Sequence, residues 1–142
     1  MNIKKININS TSIYYLSFLI TLTGTLISFY FSLVLKLTPC DLCWYQRIML
    51  YPLVFIIPVG LIRNDKNMPY YILPLTVFGL IIAFYQSLLQ WNIISETIQC
   101  SNGVSCATTQ INYFGFITIP FLSLLAFVTL STLMIIALKL KK

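Results

Sequence analysis

The chain has 142 residues, of which 58% are hydrophobic and only 8% charged, and it carries a net charge of +6. Soluble globular domains carry about 25% charged residues, so this composition excludes that class and points to a membrane protein. Nor does the positive charge indicate nucleic-acid binding, because the basic residues are scattered at the ends of apolar runs and form no patch interleaved with aromatics.

A helix crossing a hydrocarbon core about 30 Å thick needs about 20 apolar residues, and the chain contains four such runs. The first, Ile13 to Leu35, is free of charge and follows Lys4 and Lys5. It is longer than the 7 to 15 residues, roughly, of a secretory signal core and ends in Lys36-Leu37-Thr38-Pro39, without a small-residue cleavage site. Leu37 to Cys40 has the outline of a lipoprotein processing site, but Pro39 before the cysteine fits poorly. The run is therefore read as a span.

Cys40-Asp41-Leu42-Cys43 comes next, directly ahead of the second run, Trp44 to Ile62. Two cysteines at this spacing can close a small, reducible ring. Cys43 is expected at the amino-terminal end of a helix, where unpaired backbone N–H groups and the helix dipole favour a thiolate. Arg47 follows four residues later, on the same helical face and about one turn deeper. At mid-span an arginine costs about 2.5 to 3.5 kcal/mol, so it calls for a partner. Snorkelling towards the headgroups is the alternative.

The third run, Tyr70 to Gln90, places Gln86 and Gln90 on one face near its end, as ligand contacts or as polar links between helices. Beyond it, Trp91, Ile94 and Ile98 fall at helical spacing beside Ser95, Glu96 and Gln99, the pattern of a short interfacial helix. Cys100 and Cys106 enclose Asn102-Gly103, a turn-forming dipeptide that can bring the pair together. The fourth run is Tyr113 to Leu138. Phe29, Tyr30, Phe31, Trp44, Tyr45, Tyr85 and Trp91 cluster at the ends of the runs, as in an aromatic belt.

The connecting stretches leave no room for a separate soluble domain. The expectation is one all-α domain over residues 1–142, a four-helix integral membrane bundle with two short outer loops carrying cysteine pairs. Lys4, Lys5, Arg63, Lys66, Lys139, Lys141 and Lys142 fall on one side and Lys36 on the other. A seven-to-one excess puts both termini in the cytoplasm and all four cysteines on the outer face. Disulfides persist there, so the cysteines are either redox-active or structural staples. A four-cysteine zinc site is disfavoured because the two pairs have unequal spacing and lie two membrane crossings apart. No metal is expected.

The run Pro39-Cys40-Asp41-Leu42-Cys43-Trp44-Tyr45-Gln46-Arg47 resembles the signature of the DsbB family of disulfide-bond formation proteins. Ile119-Pro120-Phe121-Leu122-Ser123, with the close second cysteine pair before it, is similar to the BdbC-type branch of Gram-positive bacteria, and the four-span layout agrees over nearly the whole chain. The resemblance implies a quinone-dependent thiol oxidase of the bacterial plasma membrane that reoxidises a thioredoxin-like extracytoplasmic oxidase of the DsbA or BdbD kind. By the same resemblance Cys40 and Cys43 reduce the quinone, menaquinone or ubiquinone, with Cys43 against its ring and Arg47 polarising an oxygen. Cys100 and Cys106 exchange with the oxidase, Cys100 forming the mixed disulfide.

The chain departs from well-known members in its close second pair and in having no histidine. A histidine contact to the quinone is therefore excluded, and Gln86 or Gln90 is the polar substitute. Vitamin K epoxide reductase relatives, which also pass thiol electrons to a quinone, carry their C-x-x-C late in the chain. The alternative function is a non-catalytic membrane assembly protein with structural outer-loop disulfides; cysteine reactivity separates the two.

Overall fold

The computed structural model describes residues 10–36, 39–91, 93–94 and 118–141. Four helices account for almost all of them: α1 (Ser10–Leu33), α2 (Asp41–Ile62), α3 (Met68–Gln90) and α4 (Ile119–Lys141). All four are long and apolar enough to cross a membrane, as the hydropathy predicts. Pro52, Pro58 and Pro74 lie within α2 and α3, positions tolerated where neighbouring helices cover the freed backbone groups.

The helix bounds differ from the apolar runs for local reasons. α1 includes Ser10-Thr11-Ser12, hydroxyl residues that hydropathy does not count. It stops at Leu33, and Lys36 adopts φ 49° in the turn that follows. α2 begins at Asp41, whose carboxylate suits the positive end of the helix dipole. The first cysteine pair lies where the short α1–α2 loop enters α2: Cys40 is the N-cap, and Cys43 sits in the first helical turn. Residues 113–117 of the expected fourth span, Cys100, Cys106 and most of the expected interfacial helix lie outside the described residues; Ile93 and Ile94 form a bend.

The helices pack in the cyclic order α1, α2, α3, α4. Ser10 and Thr11 of α1, Asn64 to Lys66 between α2 and α3, and Leu140 of α4 line one depression, so alternate helices run up and down. The α2–α3 connection is closed by a Schellman turn: Asp65 N–H donates to Gly60 O (2.9 Å) and Asn64 N–H to Leu61 O (3.2 Å). Asn64 takes the left-handed conformation this requires, φ 49°. Asp65 then accepts from Asn67 N–H (2.8 Å) and the Tyr71 hydroxyl (2.9 Å), tying the turn to α3.

Near that end the core is apolar, built from Leu53, Ile57, Met68, Ile72, Leu130 and Met134 with Ile13 and Tyr14. Gly79 lets α3 and α4 approach closely, since a Cβ there would collide with the Phe127 ring. Several hydroxyls within the spans are satisfied locally. Ser17, Thr21, Thr76 and Ser87 each donate to a carbonyl three or four residues back. The bundle thereby fixes the ends of α2, α3 and α4 opposite the depression, where the cysteines lie.

Candidate active site at the start of the second helix

A spacing of three residues, from N-cap to first turn, brings Cys40 Sγ and Cys43 Sγ to 3.0 Å. Both are free thiols. Cys40 is 5% exposed and packs against Leu89 with Leu42 and Tyr85 alongside, whereas Cys43 is half-buried. The Cys40 thiol is pushed up, first by its hydrogen bond to Cys43 and then by burial. Cys40 therefore holds its proton more tightly than an ordinary thiol. Both groups lie at the positive end of α2, which stabilises negative charge on sulfur.

Gln86 reaches the pair from α3. Its Nε2 lies 3.2 Å from each sulfur, and its two N–H bonds allow it to donate to both. Gln86 Oε1 in turn accepts from Gln46 Nε2 at 2.7 Å, and Gln46 Oε1 accepts from the Ser123 hydroxyl of α4 at 2.6 Å. Gln46 and Gln86 are both buried.

Arg47 is held from two sides. Its Nη2 donates to Ser32 Oγ of α1 at 2.7 Å, and its Cζ lies 5.5 Å from the Trp44 ring centroid. One turn further along the same interface, Ser28 and Tyr51 share a hydrogen bond of 3.0 Å, and Phe29 stacks on Tyr51 at 5.2 Å. These contacts clamp α1 to α2 and hold the guanidinium in place.

Between α1, α2 and α4 lies a cavity of about 310 Å³. Ile20, Ile27, Phe31, Leu50, Pro120 and Phe127 supply apolar walls, and Cys43, Gln46, Arg47 and Ser123 supply polar groups near one another. Cys40 is not among its lining residues, so one sulfur faces the cavity and the other faces α3. This donor set and an apolar space of that size suit a flat, largely apolar ring carrying acceptor oxygens.

Cys40, Cys43 and Arg47 thus come together as their spacing predicts, while Cys100 and Cys106 lie outside the described residues. Gln86 contacts the sulfurs and not the cavity. Gln90 Oε1 is buried and, among the described residues, has no hydrogen-bond partner. Gln46 and Ser123 were not among the predicted site residues. Their local signals are a polar side chain inside an apolar run and a place in the two segments that carry the family resemblance. Among the aromatics Phe31 lines the cavity and Tyr85 packs beside the cysteines. Trp44, Tyr45, Phe29 and Tyr30 are exposed at the helix ends, as in a belt.

The family model for disulfide bond formation protein DsbB matches residues 10–137. A probable disulfide formation protein C 2 of Bacillus cereus is 45% identical, covering 85% of this chain and 87% of the relative. The disulfide bond formation protein C of Bacillus subtilis is 44% identical over 80% of this chain and 83% of its own length. A probable disulfide formation protein of Chlamydia caviae is 45% identical over 87% and 89%. No solved structure gives a significant match.

Proposed function

The chain belongs to the DsbB family of disulfide bond formation proteins, and from that premise we propose that it is a quinone-dependent thiol oxidase reoxidising a thioredoxin-like extracytoplasmic oxidase. The observation that carries this reading is the cavity in which one sulfur of a C-x-x-C pair, Cys43, shares a wall with the Arg47 guanidinium.

When bound, a quinone would supply a two-electron acceptor with two carbonyl oxygens. Cys43, Arg47 and the second N–H of Gln46 would hold it. The apolar walls from α1 and α4 exclude water from the ring, which strengthens each polar contact inside. Arg47, anchored by Ser32 and Trp44, presents a fixed positive charge to an oxygen that gains electron density.

In the reduced pair Cys40 holds a proton on its sulfur, beside Cys43. Loss of that proton, with departure of two electrons, closes the Cys40–Cys43 disulfide. The pair is then ready to accept electrons by thiolate attack from another dithiol. In our reading that dithiol is Cys100 and Cys106, which exchange with the partner oxidase. Both termini face the cytoplasm and the cysteines the outer surface, supported by the excess of basic residues at the opposite ends of the spans.

The test is quinone reduction by detergent-purified protein supplied with a reduced thioredoxin-like oxidase, with menaquinone and ubiquinone compared. Cys43→Ser is expected to abolish turnover. Wild-type protein inactive with both quinones and several oxidases would leave the structural-disulfide alternative as the better reading.

A further inference from the structure

The hydrogen bonds that meet at the cysteine pair all run in one direction. Ser123 Oγ donates to Gln46 Oε1 (2.6 Å), Gln46 Nε2 to Gln86 Oε1 (2.7 Å), and Gln86 Nε2 to both sulfurs (3.2 Å each). The chain passes from α4 through α2 to α3 and ends on sulfur. Its two amides are 7% and 1% exposed, so water does not compete for them.

Polarity is the informative feature. Turning both amides over would give an equally connected chain in which Gln86 Oε1 accepts from a thiol and Gln46 Nε2 donates to Ser123. Ser123 has a second acceptor available for that state, Pro120 O at 2.8 Å. The reversed chain suits two protonated thiols. The observed chain suits a sulfur that lacks its proton. Aligned bonds in a low-dielectric interior polarise one another, so a distant donor contributes to the last one.

The geometry points to Ser123, Gln46 and Gln86 as a directional amide relay that supports negative charge on the Cys43 sulfur. Gln86 touches the reacting atom; Gln46 and Ser123 are positioning residues that fix which end of Gln86 faces it. In a chain without histidine, this relay supplies stabilisation of the thiolate by neutral dipoles delivered through Gln86, which does not line the cavity, in addition to Arg47. The inference rests on Cys43 being the reactive thiol, as proposed above, and its test needs no quinone.

The relay is read from the rate at which iodoacetamide alkylates Cys43 in fully reduced, detergent-solubilised protein at neutral pH, mapped by peptide mass spectrometry. Gln86→Met, which keeps the volume, is expected to slow alkylation about tenfold, the loss of a hydrogen bond to a charged acceptor. Gln46→Met, which removes no contact to sulfur, is expected to slow it severalfold, and Ser123→Ala about twofold as the remote, weakest link. The double variant Gln46→Met with Gln86→Met should be no slower than Gln86→Met alone. Ser87→Ala is the control. This residue is buried beside Gln86, but its hydroxyl donates to Ala83 O of its own helix, and it should react at the wild-type rate.

If Ser123→Ala reacts like wild type, the relay is refuted and only a local Gln86 contact remains. Equal slowing by Ser87→Ala would also overturn it, in favour of a general packing effect. Ser123→Ala is mild enough to fold, so the decision does not depend on the more disruptive variants. Altered alkylation in a protein that reduces no quinone would uphold the relay while refuting the proposed activity.

Discussion

Replacing Arg47 by methionine keeps a long side chain and removes the charge. In the native site Arg47 Nη2 is 2.7 Å from Ser32 Oγ and its Cζ is 5.5 Å from the Trp44 centroid, so the guanidinium is held in place before any ligand arrives. Removing a preorganised donor aimed at an oxygen that gains charge costs about 2.7 to 4 kcal/mol, a factor of roughly 10² to 10³ in kcat. Arg47 is half-buried and commits one nitrogen to Ser32, which places the expectation at the lower end, about a hundredfold. Arg47→Lys keeps a charge but cannot stack on Trp44 and reach Ser32 together, and about a tenfold loss is expected. The assay is steady-state quinone reduction, followed by absorbance at saturating reduced oxidase, alongside single-turnover exchange between the oxidase and this protein. A kcat for Arg47→Met within about twofold of wild type would refute the reasoning. So would a loss confined to the exchange step, because that places Arg47 outside the quinone half of the reaction.

Stoichiometric alkylation of the reduced protein should modify Cys43 well before Cys40, which is 5% exposed and holds its proton; peptide mapping that finds Cys40 first contradicts the division of labour between the two. Gly79→Val places a side chain against the Phe127 ring. It should lower stability by about 1 to 3 kcal/mol in detergent unfolding, with a smaller loss when Phe127→Leu is added. Asn64→Val puts a β-branched residue at φ 49° in the α2–α3 turn, for an expected loss of about 1 to 2 kcal/mol. No measurable change would mean that the turn readily finds another conformation.

The membrane class, the number of helices and the place of the first cysteine pair were all legible in the sequence, because each depends on local chain properties. Span length follows from helical rise and bilayer thickness, and charge placement gives an expected orientation. Cys43 and Arg47 share a face because four residues make about one turn. The helix ends deviate from the apolar runs by a few residues, as where α1 takes in the hydroxyl residues Ser10 to Ser12 or where Asp41 extends α2 to include Cys43. The relay was not legible in this way. Gln86 meets the sulfurs across 46 and 43 residues, and Ser123 meets Gln46 across 77. Gln86 was expected to serve as a ligand contact or as a polar link, but not to bond the sulfurs. The physical reason lies in the solvent. In water an amphipathic stripe reveals which face of a helix points inward, but lipid is as apolar as the core, so these spans are apolar all round and their rotation is hidden. Only side-chain packing, such as Phe127 seated on Gly79, sets those rotations and thereby decides that Cys43 faces the cavity and Cys40 faces α3.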